Sequence, residues 1–210
     1  AVVRRYAKSI GKKYEELNLI VVHLGGGISV GAHRKGLVID VNNALNGEGP
    51  ISPERAGTVP SEALATLCFS GKYTLNEVKK MLHGKAGLAA YLGTSDMITI
   101  EEKAIEGKEP YKTLVAAMDY TVAKEIGAMF VALKGQCDAI ILTGGIAYSD
   151  YCVADIKEQI EYLCKVVVLP GENEMESLAE NAFGALTGEL PVLTYTGVSC
   201  AEEIPGMAEA

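Results

Sequence analysis

Three features of the sequence predict an α/β fold built on a mixed sheet. The segment from Leu19 to Val41 reads as three short strands joined by turns at Gly25-Gly26-Gly27 and Arg34-Lys35-Gly36, which is the pattern of an antiparallel meander. From Asp138 to Leu186 the pattern runs strand, helix, strand, helix, an order that calls for parallel pairing with right-handed crossovers. Between these parts the apolar period turns helical, so a helical insertion at about residues 61–110 and then a long helix separate the two strand-bearing segments.

Composition limits the function classes. With 210 residues and 49% hydrophobic content, the chain has enough apolar surface for one generous domain or two small ones. Acidic residues outnumber basic ones, 27 to 19, with no basic stripe, which argues against a nucleic-acid partner. A small anion remains compatible, because backbone N–H groups hold one without net positive charge. The longest apolar runs, Leu19–Val22 and Ala139–Leu142, are far short of the roughly 20 residues that cross a bilayer. Five cysteines without a C-x-x-C pair fit a reduced, cytoplasmic protein.

Taken in order, Val2, Tyr6, Ile10, Tyr14 and Leu17 lie at near-helical spacing. The helix they imply starts without a capping residue before it, and the expectation is a natural N-terminus further upstream. Strands follow at Leu19–Leu24, Ser29–His33 and Leu37–Val41. The polar connection 42–60 is too long for mere linkage and is a candidate functional loop. Helices are expected after Ser61, Thr74 and Thr99, with capping boxes at Thr74/Glu77 and Thr99/Glu102, and an irregular stretch at Gly84–Gly93. Lys112–Lys134 is the longest helix, with Leu114, Met118, Val122, Ile126, Met129 and Leu133 as its buried stripe. Asp138–Leu142 and Val166–Leu169 are strands, Asp150–Leu163 and Ser177–Leu186 helices, and the acidic residues 198–210 a frayed tail.

Two glycine loops carry the strongest functional signal. Gly25-Gly26-Gly27 joins two strands, and a hairpin tip without side chains lets backbone amides approach a phosphate. The pattern is neither a dinucleotide fingerprint nor a Walker A motif, and taken alone the loop is explained first by a sterically required tight turn. Thr143-Gly144-Gly145-Ile146 follows a strand and leads toward a helix, where an adenosine fits against glycine backbone, as does simple close packing. Together, separated by a helical insertion, the loops match the plan of the actin-like (ribonuclease H-like) nucleotide-binding fold.

His23-Leu24-Gly25-Gly26-Gly27-Ile28-Ser29 resembles the H-L-G-[NG]-G phosphate motif of the acetate and butyrate kinase family. Glu48-Gly49 through Arg55-Ala56-Gly57 is similar to the segment that follows it there, Gly87-Leu88 through Ser95-Asp96-Met97 to the family's nucleoside segment, and Thr143-Gly144-Gly145-Ile146 to its T-[AG]-G-I loop. The triple glycine, Ile28–His33 and Asp40–Leu45 are similar to the butyrate branch. The likeness runs to about Gly197 and matches only the second of the family's two actin-like domains, so it implies residues 1–197 as that domain. The first phosphate loop, the carboxylate-pocket arginine and the catalytic aspartate would lie outside these residues.

The resemblance implies a nucleotide-binding half of a kinase that moves phosphoryl between ATP and butyrate, with another short or branched carboxylate, or a non-catalytic nucleotide-binding module, as alternatives. It implies ATP or ADP with Mg2+ as cofactor, and a homodimer or higher homo-oligomer. Arg55 takes the transition-state role, since a planar guanidinium neutralises charge on a transferring phosphoryl group. A surface pairing with Glu48 or Glu54 is the other reading of that arginine. His23, Gly25, Gly26, Gly27 and Ser29 would bind phosphate, and Ser95, Asp96, Met97, Gly144, Gly145 and Ile146 the nucleoside. Asp96 equally suits the N-cap of the helix near Thr99, and Ile98 stands where the family often has an arginine. Glu176, with Glu174 as alternative, would contact the metal, although a glutamate in a helix's first turn also serves the helix dipole. His23 and His33 read as structural histidines, and His83 as a helix C-terminal partner.

Overall fold

The computed structural model describes residues 1–171, 174–192 and 194. It divides into two compact units, Ala1–Glu172 and Asn173–Ala210. The expected acidic tail, 198–210, falls outside the described residues.

In the first unit a helix, α1 (Val2–Ser9), leads into β1 (Asn18–Leu24), β2 (Ile28–Arg34) and β3 (Leu37–Val41). Four helices follow: α2 (Ser61–Cys68), α3 (Leu75–Leu82), α4 (Leu88–Leu92) and α5 (Met97–Ile105). The long α6 (Tyr111–Ala132), β4 (Ala139–Gly144), α7 (Asp150–Ile160) and β5 (Val166–Pro170) complete the unit. The sheet order is β3-β2-β1-β4-β5. Pairing is antiparallel for β1/β2 and β2/β3 and parallel for β1/β4 and β4/β5, the mixed sheet that the strand pattern predicts.

Period-two alternation decides which side chains cover each face. Ile20, Val22 and Leu24 of β1 pack with Ile140 and Leu142 of β4 against Met118, Val122 and Ile126 of α6 and Ile156 of α7. Leu19 and Ile141 face the other way, onto Val3, Tyr6 and Ala7 of α1. The central strands are thus sealed on both faces, as their unbroken apolar sequences require. Each fully buried Leu or Ile contributes about 1.5–3 kcal/mol by area removed from water.

Register then positions the loops. Leu24 pairs with Ile28, so Gly25, Gly26 and Gly27 are the whole hairpin tip. His23 pairs with Thr143, which sets the C-terminal ends of β1 and β4 side by side. At Gly144 φ is +95°, and a Cβ there would run into the Leu24 backbone, so the close approach of the two strand ends requires glycine.

Several expectations are corrected. The first helix stops at Ser9, where Gly11 turns the chain with φ +67°, and Leu17 is buried through a separate short 3-10 turn at Tyr14–Glu16. The Thr74/Glu77 capping box forms as expected. The Thr99/Glu102 box does not: α5 starts three residues earlier, because Asp96 caps it by accepting from the Ile98 N–H. Gly84–Gly93 contains a short helix, α4, rather than remaining irregular throughout. On α6 the buried set includes Asp119 and Val115, while Leu114 is only half-buried. Tyr14 Oη lies 2.6 Å from His33 Nδ1, and burial lowers the His33 pKa, in keeping with a structural histidine. Among the described residues four cysteines are free, and no helix is long and apolar enough to cross a membrane.

The second unit contains α8 (Glu174–Thr187), one residue longer at its C-terminus than expected and starting three residues earlier. Glu176 stands exposed in its first turn.

Candidate nucleotide-binding site

The loop 52–55 builds one wall of the site by clamping the hairpin tip. Ser52, fully buried, donates its hydroxyl to the Gly26 carbonyl at 2.8 Å and accepts from the Arg55 N–H at 3.1 Å. The Glu54 N–H donates to the same Gly26 carbonyl at 3.0 Å. Behind the loop, Gly87 has φ +61° and sits where a Cβ would collide with the Ser52 and Arg55 backbones, so α4 packs directly on it. The Leu88 and Ala89 N–H groups donate to the carbonyls of Ser52 and Pro53. Ser52→Ala should lower stability by about 1–2 kcal/mol in urea unfolding, because it leaves a buried carbonyl one partner short and the Arg55 amide with none from this side chain.

A second wall comes from α5 and the turn before it. Ser95 donates to the Glu54 carboxylate at 3.3 Å, tying that turn to the loop. Asp96 accepts from the Ile98 N–H at 3.2 Å and the Thr99 hydroxyl at 2.6 Å, and the latter bond is the chief cause of its lowered pKa. The third wall is the β4–α7 connection, where Gly145 and Ile146 lead through Tyr148 to Ser149, whose hydroxyl caps α7 by accepting from the Cys152 N–H at 3.0 Å.

These walls enclose a cleft of about 490 Å³ lined by Gly25, Gly26, Ser95, Asp96, Met97, Gly145 and Ile146, together with Pro53, Ile98, Glu101, Tyr148 and Ser149. That size suits a small ligand. Seven of the predicted site residues therefore meet in one place although they come from three distant segments. Gly144 lies in β4 at the junction with Leu24, and Gly27 lies under the Arg55 stem, 3.7 Å from its Cγ when a Cβ is placed on the glycine. His23 and Ser29 pair with each other across the hairpin, and neither lines the cleft.

Arg55 also stands off the cleft wall. Its side chain is 22% exposed, its Nη1 is 3.5 Å from Glu54 Oε2, and its Nε is buried without a hydrogen-bond partner. The pairing with Glu54 that the sequence allowed is therefore present, yet it leaves part of the guanidinium unsatisfied. Glu176 belongs to the second unit. Among the described residues no group of three or more His, Cys, Asp or Glu could hold a metal ion.

Sequence reasoning missed Pro53, Ile98, Glu101, Tyr148 and Ser149 as lining residues. For Ile98 and Glu101 a signal existed: three residues apart on a helix capped by Asp96, they share the face on which Asp96 begins. Tyr148 and Ser149 follow the glycine loop directly, but nothing in their residue types marked them.

The mixed five-stranded sheet with its flanking helices is of the actin-like class. The structure superposes on the acetate kinase of Porphyromonas gingivalis with TM-score 0.77 at 22% identity, covering 87% of this chain and 52% of that one. With a propionate kinase from Francisella tularensis subsp. tularensis SCHU S4 the TM-score is 0.74 at 22% identity, covering 83% and 50%. The chain belongs to the acetokinase family, whose model matches residues 1–184. It is 72% identical over 195 residues to a probable butyrate kinase of Phocaeicola vulgatus and 55% identical to one of Bacteroides thetaiotaomicron. Each alignment covers 93% of this chain but 55% of the relative, so the chain spans about half the length of these curated relatives.

Proposed function

We propose that the cleft binds ATP or ADP and that the chain is the nucleotide-binding half of a kinase transferring phosphoryl between ATP and a short-chain carboxylate, with butyrate as the acceptor. The observation that carries the reading is the convergence of Gly25–Gly26, Ser95–Met97 and Gly145–Ile146 on one cleft. The hairpin tip suits the phosphates because Gly26 is exposed and carries no side chain to hold an anion away from the backbone. Met97, Ile98, Ile146 and Tyr148 offer apolar surface to the nucleoside. The names of the two probable butyrate kinases support butyrate as acceptor.

The residues present fit a nucleotide with its metal in a particular way. The Glu54 carboxylate lies close to Gly26, so Arg55 and the cation that accompanies the phosphates would have to offset its charge. Mg2+ is expected to arrive on the nucleotide, where it neutralises phosphate charge during transfer. A carboxylate acceptor is ionised at pH 7 and needs no general base, which suits a site of glycines and a guanidinium rather than a catalytic histidine. Arg55, released from Glu54, would reach the charge developing on the phosphoryl group.

Calorimetry with MgADP tests the reading. The chain should bind ADP weakly, and Gly26→Val should abolish binding with little change in melting temperature, since a Cβ at Gly26 meets only the end of the Glu54 side chain, at 3.3 Å. No ADP binding, or a valine variant that binds normally, would overturn it. Turnover of acetate, propionate, butyrate and isobutyrate by an enzyme of the relatives' length carrying this span checks the acceptor.

A further inference from the structure

We infer that Glu54 is an anion placeholder: its carboxylate occupies the phosphate position at the Gly26 hairpin tip, and a nucleotide must displace it to bind. The inference rests on the nucleotide reading above and gives Glu54 a role that neither motif matching nor the relatives' names assign.

Contacts from three sides set the carboxylate there. A Cβ placed on Gly26 would stand 3.3 Å from Glu54 Oε2 and 3.5 Å from its Cδ, so the space this glycine leaves beside its exposed backbone is filled by the acid. From the facing wall Ser95 donates its hydroxyl to Oε1 at 3.3 Å. Arg55 brings Nη1 to 3.5 Å from Oε2, and its stem lies over the next glycine, Gly27. The main chain is pinned separately: the Glu54 N–H donates to the Gly26 carbonyl at 3.0 Å, and the Ser52 hydroxyl donates to the same oxygen at 2.8 Å. The loop therefore keeps its place against the hairpin whether or not the Glu54 side chain stays on it.

A carboxylate and a phosphate make the same demands of their surroundings. Both are anions that accept from a hydroxyl or a guanidinium, and two of them do not share one position. The hold on Glu54 is weak enough to yield. Its side chain is 42% exposed, its bond from Ser95 is long, and an ion pair at 3.5 Å with that exposure contributes little. Because the bonds to Gly26 come from the backbone and from Ser52, the carboxylate can turn outward about its own torsions while the loop stays in place. Its departure leaves the Ser95 hydroxyl and Arg55, whose buried Nε already lacks a partner, beside an open glycine tip. Phosphate then takes the position, and the guanidinium is released for the group in transfer.

The experiment measures Kd for ADP, with and without Mg2+, by calorimetry on the wild-type chain and on Glu54→Gln and Glu54→Ala. Glutamine keeps the size of the side chain and an acceptor for Ser95 but not the charge. Both variants should bind ADP tighter by about threefold to tenfold, because displacing Glu54 gives up one partly exposed ion pair and one long hydrogen bond and leaves a like charge nearby. The gain should be larger without Mg2+, whose charge offsets the carboxylate in wild type. In an Arg55→Ala background E54Q should still tighten ADP, since the phosphate position itself has been vacated. A merely structural glutamate would weaken binding when replaced, not strengthen it. A gain below about threefold in both variants, a weaker MgADP complex in E54Q, or a gain that vanishes with Arg55→Ala overturns the inference while the nucleotide reading stands. Binding of ADP by none of these proteins overturns both.

Discussion

Arg55→Ala, made in an enzyme of the relatives' length, is expected to lower kcat by about 10³-fold while the nucleotide KM moves little. The resting geometry explains the split. Arg55 is held beside Glu54 at 3.5 Å, off the cleft wall, with Nε buried and without a partner. On the function proposed above, an arginine so placed would make few contacts with bound nucleotide and would engage the phosphoryl group only as its charge spreads, and interactions gained in the transition state appear in kcat. Lysine should rescue poorly, because a point charge does not reproduce the planar fork. Steady-state kinetics decide the matter. An alanine variant within about threefold of wild type, under one kcal/mol by rate arithmetic, would leave Arg55 as the partner of Glu54 and nothing more.

The second large effect concerns Asp119. This carboxyl is fully buried on α6 with no well-formed hydrogen bond to either oxygen, and burial pushes its pKa up to about 8, helped by the neighbouring charges of Asp155 and Glu101 and partly offset by the Cys152 thiol. The folded chain therefore keeps the proton to about pH 8, while the unfolded chain releases it near the ordinary value of 3.8. Because the folded state binds the extra proton, the protonated group's stability is fully present below the unfolded value. It declines as pH rises toward 8, by about 1.4 kcal/mol per pH unit, and levels off above that.

Asp119→Asn removes the titration at the cost of a buried amide, about 1–3 kcal/mol if it stays unpaired. The variant should match or fall below wild type at pH 4–5 and exceed it by roughly 2–4 kcal/mol at pH 8. Urea unfolding of both proteins across pH 4–9 checks this by whether the stability curves cross. Parallel curves would mean that Asp119 is not the buried acid of the folded chain.

Much of the architecture was legible because it rests on periodicity. The apolar runs Leu19–Val22 and Ala139–Leu142 and the glycine turn are local patterns that mark buried strands and the hairpin between them. The misreadings were also local. Thr99 and Glu102 have capping-box spacing, but Asp96 stands three residues earlier and offers a better-placed carboxylate, so α5 begins there. Asp96 thus fills the capping role that the sequence left open beside a nucleoside role, and it still lines the cleft. Asp119 escaped notice because a helical stripe is read from its apolar members, and a single acid among them looks like a boundary of the stripe rather than part of it.

The sequence by itself determined the elements, the three-residue hairpin tip and the glycine at 144, since strand period, turn chemistry and the need for positive φ act over a few neighbouring residues. Only the tertiary structure decided which of these face one another. Parallel pairing of His23 with Thr143 brings the two glycine loops together, and the Ser52 and Glu54 bonds to Gly26 fold a distant loop beneath them. The same packing admitted Glu101 and Tyr148 to the cleft and left His23 and Ser29 outside it. Such relations depend on sheet register and on burial shared among segments about 120 residues apart, and no local pattern encodes the distance between side chains that meet only when the core closes.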